Sequence, residues 1–421
     1  MTADALAPSV LIATLTKIFK PSAPTDDEQL FRGRLAQLDS VVTATQEDGQ
    51  HAMVFGERGV GKTSLAYMAM AVFRQGSPGS LTVRMACTAG DDFGSVWQKL
   101  VPRLRQVVDT REEEERRMLA DPIDRVEDLF MDTPTPEIVS RALNLLASKV
   151  PMLVVIDEFD RIDGYTHSDA FADLVKLLSD DLIQSTLIIV GVADDVSGLL
   201  AGHASIDRSL RQVAMPRMTE AELTEVVVKG FQAFTERSGH SLTVDDDAVG
   251  AIANMSQGFP YYTHLLASSV GKDAIHASKS AISFDDVFTA LIRAKDDAEP
   301  SIKENYHQAT LAARSDATFK QTLLACALAP TDHLGYFAAS DVREPLERII
   351  GSPRPTSSFN AHLKRFSQES PFVLESQPVK NSQRYRFQNP LMRPFVLMQG
   401  FSTGALSPSL LTAEVSNDAR S

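Results

Sequence analysis

Cysteine is almost absent from this 421-residue chain: Cys87 and Cys326 are its only two, too few for a disulfide framework and without a zinc or haem spacing. Both read as reduced core residues, the usage expected of a cytoplasmic protein. Long apolar runs are missing as well. Val10 to Leu15 is too short for a span or for the core of a signal peptide, and Met1-Thr-Ala-Asp-Ala-Leu-Ala-Pro8 lacks a basic segment, so no membrane insertion is expected. Positive charge is in deficit, with 41 Lys and Arg against 55 Asp and Glu for a net −14, which argues against indiscriminate nucleic-acid binding. The deficit is uneven. Residues 316 to 400 carry ten basic and seven acidic side chains, about +3, so the rest of the chain holds −17 of the −14 total. No internal repeat is present, and neither is a nuclease, protease, deaminase or kinase signature.

What the chain does have is a glycine-punctuated turn between a strand and a helix. Residues 52 to 55 are apolar and run into Gly56-Glu57-Arg58-Gly59-Val60-Gly61-Lys62-Thr63-Ser64, followed by the apolar helix pattern Leu65 to Phe73. This is the pattern of a phosphate-binding loop. The glycines turn backbone N–H groups inward around an anion, and the following helix presents its positive end to the same point. Lys62 is placed to reach the β- and γ-phosphates of ATP, and Thr63 to put its hydroxyl on Mg²⁺. A second motif supports the first. Val150 to Ile156 is a proline-interrupted apolar run, the length of a buried parallel strand, and it ends in Asp157-Glu158-Phe159-Asp160. A carboxylate at that edge can hold Mg²⁺ beside Thr63, while Glu158 can polarise a water for attack on the γ-phosphate.

With 43% apolar residues over this length, two or three domains are expected. Residues 1–30 read as an N-terminal arm. Residues 31–217 hold a helix from Leu35 to Gln46 and then alternate strands near 52–55, 82–87, 151–157, 186–192 and 212–215 with amphipathic helices, including Pro136 to Lys149. That alternation predicts an α/β fold with a parallel sheet covered on both faces. The charge run Arg111 to Arg117 is read as an exposed helix face. Between 218 and 314 the strands stop and the pattern is helical, with starts marked by Thr219 and Glu222 and by Thr243-Val-Asp-Asp-Asp247. Residues 315–402 read as three helices, over 319–327, 341–350 and 357–367, and a hairpin formed by 372–377 and 384–387. Three helices and a hairpin make a winged helix. Its third helix carries Asn360, His362, Lys364 and Arg365 and its wing Lys380, Arg384 and Arg386, where such a domain meets DNA. Residues 403–421, rich in Ser, Thr and Ala, are expected to be disordered.

The Phe-x-Gly-Arg element at Phe31 to Arg34, the phosphate loop, Asp157-Glu158-Phe159-Asp160, an all-helical lid and a C-terminal winged helix together resemble AAA+ ATPases of the origin-recognition and Cdc6 type, over about residues 18 to 400. The resemblance implies a P-loop AAA+ core with Phe31 and Arg34 near the adenine. It places sensor 1 in Gly191-Val-Ala-Asp194-Asp195, where that family favours Asn and this chain has Asp194. It also implies an arginine finger just before the last core strand, at Arg208 or Arg211, with Arg208 preferred. The lid departs from this pattern. Gly258-Phe-Pro260-Tyr-Tyr262 replaces a sensor 2 arginine and is similar to STAND-type signalling ATPases, in which the proline packs by the base. His264 reads as a core histidine. The chain thus resembles a bacterial or archaeal-type relative on the border of the two groups.

These readings converge on a cytoplasmic, nucleotide-switched ATPase with ATP and Mg²⁺ as cofactors, hydrolysing ATP to ADP and phosphate and assembling as a homo-oligomer. Its output is expected to be duplex DNA, held through Lys364, Arg365, Lys380 and Arg386. The alternative is a STAND-like signalling or defence switch that recruits a separate effector protein.

Overall fold

The computed structural model describes residues 7–21, 23, 31–162, 165–193, 208–311, 318–332, 334–379 and 382–411, with residues 165–168 described by backbone alone. The chain divides into two compact units: residues 24–216, and a second formed by residues 1–23 with 217–421. The opening helix, α1 (Pro8–Ile18), therefore belongs to the second unit.

The first unit begins with α2 (Leu35–Gln46), β1 (His51–Phe55), α3 (Lys62–Gly76) and β2 (Leu81–Ala86). Four helices then precede the next strand: α4 (Phe93–Gln98), α5 (Leu100–Asp109), α6 (Glu113–Leu129) and α7 (Pro136–Ala147). It closes with β3 (Met152–Asp157), α8 (Tyr165–Asp180), β4 (Ser185–Gly191) and β5 (Leu210–Ala214). The five strands lie in the order β2-β3-β4-β1-β5 and all pair in parallel. Every residue of β3 and β4 is buried, which is why both read as unbroken apolar runs rather than as alternation. The helices between β2 and β3 extend the same core. Phe93 meets Phe171, and Phe171 meets Phe159, each at 4.8 Å between ring centroids, and Trp97 is fully enclosed beside them. The charge run expected to be an exposed helix face lies where α6 starts, with Glu113 and Arg117 paired on its surface.

The second unit continues with α9 (Glu220–Ser238), β6 (Thr243–Val244), α10 (Asp246–Ser256), α11 (Pro260–His276), β7 (Ala281–Ile282), α12 (Phe284–Ala294) and α13 (Pro300–Thr310). Thr219 and Glu222 cap α9 reciprocally, as their spacing predicts. The N-terminal segment is not a separate arm. Leu15 and Phe19 are fully buried, Phe19 stacks on Phe231 at 4.9 Å and on His264 at 5.9 Å, and a β-carbon at Gly230 would lie 2.3 Å from the Phe19 ring. Burial pushes the His264 pKa down to about 4, as befits a core histidine.

The chain ends with α14 (Phe319–Leu328), β8 (Phe337–Ala338), α15 (Ala339–Ile350), α16 (Asn360–Gln368), β9 (Leu374–Val379), β10 (Ser382–Phe387) and α17 (Met392–Ser402). β9 and β10 form the expected antiparallel hairpin, and β8 adds a third strand on the far side of β10. Tyr262 of α11 donates a 2.6 Å hydrogen bond to the Leu391 carbonyl, and Tyr306 of α13 packs edge-on against Phe395, so this region and the helical region share one compact unit. The disorder expected over 403–421 does not begin at 403. Leu406 and Leu411 are buried, and the Leu411 carbonyl accepts a hydrogen bond from Asn254. Two leucines spaced to reach one apolar surface outweigh a locally polar composition. Among the described residues, no helix is long and apolar enough to cross a membrane.

His51 begins β1 with 1% exposure. Its Nδ1 accepts the Leu187 N–H at 3.0 Å, and burial lowers its pKa to about 4. The unfolded chain takes up this proton near pH 6.5 and the folded chain only near 4, so stability falls as pH drops through that window. Between pH 7 and pH 5 the loss expected from His51 is about 2 kcal/mol, read by denaturant titration, and His51→Gln should remove that part of the pH dependence.

Candidate nucleotide-binding site

β1 delivers the chain to the carboxyl edge of the sheet, where Gly56, Gly59 and Gly61 all take positive φ, at 149°, 87° and 97°. Gly56 has a further constraint. The Phe55 carbonyl accepts the Met215 N–H at 2.7 Å just beyond β5, and a β-carbon on Gly56 would stand 2.4 Å from the Met215 carbonyl oxygen. Val60, 1% exposed, anchors the middle of the loop, while Arg58 points to solvent. Gly61 is the left-handed N-cap of α3, so Lys62, Thr63 and Ser64 form its first turn, with their backbone N–H groups at the positive end of a 15-residue helix.

Lys62 is buried and folds back on the loop, donating to the carbonyls of Gly56 at 2.9 Å and Glu57 at 2.7 Å. Burial pulls its pKa down to about 8, against the opposing pull of Asp160, Asp157 and Glu57, so it remains largely charged at neutral pH. The Thr63 hydroxyl donates to Oδ2 of Asp157 at 3.0 Å, and Asp157, 2% exposed, closes β3. The other carboxylate oxygen, Oδ1, accepts the Glu158 N–H at 2.9 Å. Glu158 itself takes a left-handed backbone (φ 56°), and its half-exposed carboxylate pairs with Arg161 at 3.1 Å. Asp160 accepts the Val192 N–H at 2.7 Å, tying the end of β3 to the end of β4.

One residue of this cluster was not legible as a site residue. Arg84 on β2 sends both Nε, at 3.0 Å, and Nη2, at 2.6 Å, to Oδ2 of Asp157, with its guanidinium 5.3 Å from the centre of the Tyr67 ring. Ala86 stands opposite Asp157 in the register, so Arg84, two residues earlier, shares its face of the sheet. An arginine as the one charged residue of the strand Leu81-Thr-Val-Arg-Met-Ala86 was the available signal.

The remaining expected residues are dispersed. Phe31 and Arg34 are both buried in the first unit, where Arg34 donates to the Pro216 carbonyl. Asp194 lies outside the described residues. Arg211 pairs with Glu47 of α2 at 3.1 Å and stands opposite Ala52, towards the amino end of the sheet, and Arg208 precedes it with an 80% exposed side chain 3.5 Å from Asp180. The structure thus brings Lys62, Thr63, Asp157 and Glu158 to one edge of the sheet and leaves both arginines at the other end. Pro260 is the first residue of α11 in the second unit.

Hard oxygen donors from Thr63 and Asp157 suit Mg²⁺, which takes few protein ligands and completes its shell with phosphate and water. Among the described residues no group of three or more His, Cys, Asp or Glu side chains could hold a metal by itself.

A 2-3-4-1-5 parallel sheet, a phosphate loop leaving β1 and a buried carboxylate on β3, two places over, define a P-loop NTPase core of the AAA+ kind. The family model described as novel STAND NTPase 1 matches residues 22–270, and the chain belongs to that family. Among solved structures, the Walker-type ATPase PABY2304 of Pyrococcus abyssi is similar over 90% of this chain and 99% of its own, with 15% identity and a TM-score of 0.51. The ORC1 protein of Aeropyrum pernix in complex with DNA matches 92% of this chain and 97% of its own at 15% identity and a TM-score of 0.48. Cdc6p from Pyrobaculum aerophilum matches 93% and 99% at 14% identity and a TM-score of 0.46. At these identities the first of the three bears on the fold alone. No curated protein matches the chain.

Gly56→Ala meets both the positive φ and the Met215 carbonyl. It should destabilise the first unit by about 2 kcal/mol, read as a lower denaturation midpoint, whereas Arg58→Ala at the exposed position should leave the midpoint unchanged.

Proposed function

We propose that the chain is an Mg²⁺-dependent ATPase that works as a nucleotide-controlled switch. The observation that carries this reading is the convergence of Lys62, Thr63 and the buried Asp157 at the mouth of the phosphate loop. Triphosphate oxygens would replace the Gly56 and Glu57 carbonyls as acceptors for Lys62, while the N–H groups opening α3 receive the β-phosphate. Thr63 and Asp157 would hold the magnesium ion, which supplies charge neutralisation across the phosphates. Glu158 is the residue to orient the attacking water. Its carboxylate exchanges Arg161 for that water, and its left-handed backbone turns it away from the strand that ends in Asp157. Phe31 and Arg34 would support the adenine side. Arg208, the more exposed of the two candidate fingers, would act on a neighbouring copy of the chain, since within one chain it stands at the far end of the sheet.

Lys62→Ala should weaken ATP binding a hundredfold or more, since a triphosphate would lose its one motif-encoded cation. Glu158→Gln should retain ATP and slow turnover by about a hundredfold. Mixing Arg208→Ala with Lys62→Ala protein should restore part of the activity that each lacks. Unchanged ATP affinity in Lys62→Ala would remove the site altogether.

For the output, side-chain pairing favours recruitment of an effector protein over duplex DNA. The C-terminal region sets α14, α15 and α16 beside a three-stranded sheet, and three of its arginines are matched internally. Arg384 meets Asp332 at 2.8 Å, Arg386 meets Glu375 at 2.6 Å, and Arg365 lies 3.8 Å from Glu369 with its guanidinium over Phe319. Lys364 is exposed on α16, and Lys380 lies outside the described residues. With the small basic surplus so engaged, few cations remain to release counterions from a duplex. Duplex affinity at about 150 mM salt is expected to be weaker than about 10⁻⁶ M, and Lys364→Glu with Arg365→Glu should change it little. Tight, steeply salt-dependent binding that those changes abolish would restore DNA as the partner.

A further inference from the structure

Three donors converge on one oxygen. Oδ2 of Asp157 receives the Thr63 hydroxyl at 3.0 Å and two nitrogens of Arg84 at 3.0 and 2.6 Å, while Oδ1 is held by the Glu158 N–H. The side of the carboxylate that faces Thr63 is therefore the side that the guanidinium covers. A divalent ion shared by Thr63 and Asp157 and the Arg84 cation require the same negative charge.

The surroundings of Arg84 both hold it there and give it somewhere to go. It lines a cleft of about 470 Å³ whose other walls include Arg74, Arg103 and Arg111. Arg74 is bound to the neutral Thr82 hydroxyl at 2.9 Å and Arg103 to the neutral Gln106 amide at 3.1 Å, so their charges are left to act on Arg84. Like charges on the cleft side and a buried carboxylate on the other bias the guanidinium towards Asp157. The Arg84 side chain is nonetheless 26% exposed where it borders this cleft of about 470 Å³.

We propose that Arg84 is an exchangeable resident cation of the nucleotide site: it neutralises Asp157 and must turn into the arginine-lined cleft before Thr63 and Asp157 can share Mg²⁺, so it sets the metal requirement of the switch. The proposal rests on the reading of Thr63 and Asp157 as the metal-holding pair. It makes Arg84 a positioning residue, acting through Asp157 rather than on substrate. The residue also couples the site to the cleft, because removing charge from Arg74 and Arg103 makes the turned-out position less unfavourable without touching Asp157.

The test is a magnesium titration of nucleotide binding, with a fluorescent ADP analogue as probe and the full chain as protein. Wild type should bind the analogue weakly in EDTA and more tightly as MgCl₂ is added. Arg84→Gln should shift the magnesium midpoint about tenfold lower, and Arg74→Gln with Arg103→Gln should shift it lower by a smaller factor. A second measurement uses MgCl₂ without nucleotide. It should raise the melting temperature of Arg84→Gln, whose buried Asp157 has lost its cation, and leave that of wild type unchanged. If Arg84→Gln does not fold, Arg84→Lys, with one donor group in place of a fork, should still lower the midpoint. An unchanged or higher midpoint in the Arg84 variants, with wild type binding normally, overturns the exchange. Failure of wild type to bind the analogue under any condition overturns the underlying site instead.

Discussion

Asp157 is the constraint around which the first unit is arranged. A carboxylate that is 2% exposed at the end of an entirely buried strand would be prohibitively costly if left to itself, and each oxygen has therefore been given a partner. Thr63 comes from the first turn of α3, Arg84 from the neighbouring strand, and the Glu158 N–H from the turn that follows. Satisfying one charge thus fixes the phosphate loop's helix against β3, the register of β2 against β3, and the backbone of Glu158. The polar centre is small, and it sits at the edge of a sheet whose interior is largely apolar.

This explains why the site could be read and where reading stopped. The phosphate loop and the Asp157-Glu158-Phe159-Asp160 motif are each a short run of consecutive residues at the end of a strand, so chain order alone displays them. The five parallel strands were legible for the same reason, since β3 and β4 are buried on both faces and leave continuous apolar runs. Arg84 could not be assigned that way. Its partner is 73 residues away, and the link depends on which face of β2 it occupies, a matter of register. The short strands β6 and β7 are two residues each, below the length at which periodicity carries information.

Charge counting along the chain leaves out pairing for a related reason. A surplus of about three positive charges over residues 316–400 looks like an interaction face when counted along the chain. Folding sets Arg384 beside Asp332, 52 residues earlier, and Arg386 across the hairpin from Glu375. The sum of charges survives folding, but the carboxylates that meet Arg384 and Arg386 become visible only in the fold. Paired guanidinia stacked on Tyr336 and Phe319 act mainly as packing groups that join the sheet and helices of this region.

The placement of α1 has a consequence for how the protein is made. Leu15 and Phe19 fill a notch bounded by Gly230 and Gly271 on α9 and α11, so α1 leaves the ribosome with its binding surface encoded more than 200 residues downstream. At ordinary elongation rates of about 5–20 residues per second, that helix waits for roughly 10 to 40 seconds with its apolar face unpartnered. During that interval the whole NTPase core is synthesised and can fold. The second unit is consequently the last to close, and its nascent form is a natural client for chaperones that shield exposed leucine and phenylalanine.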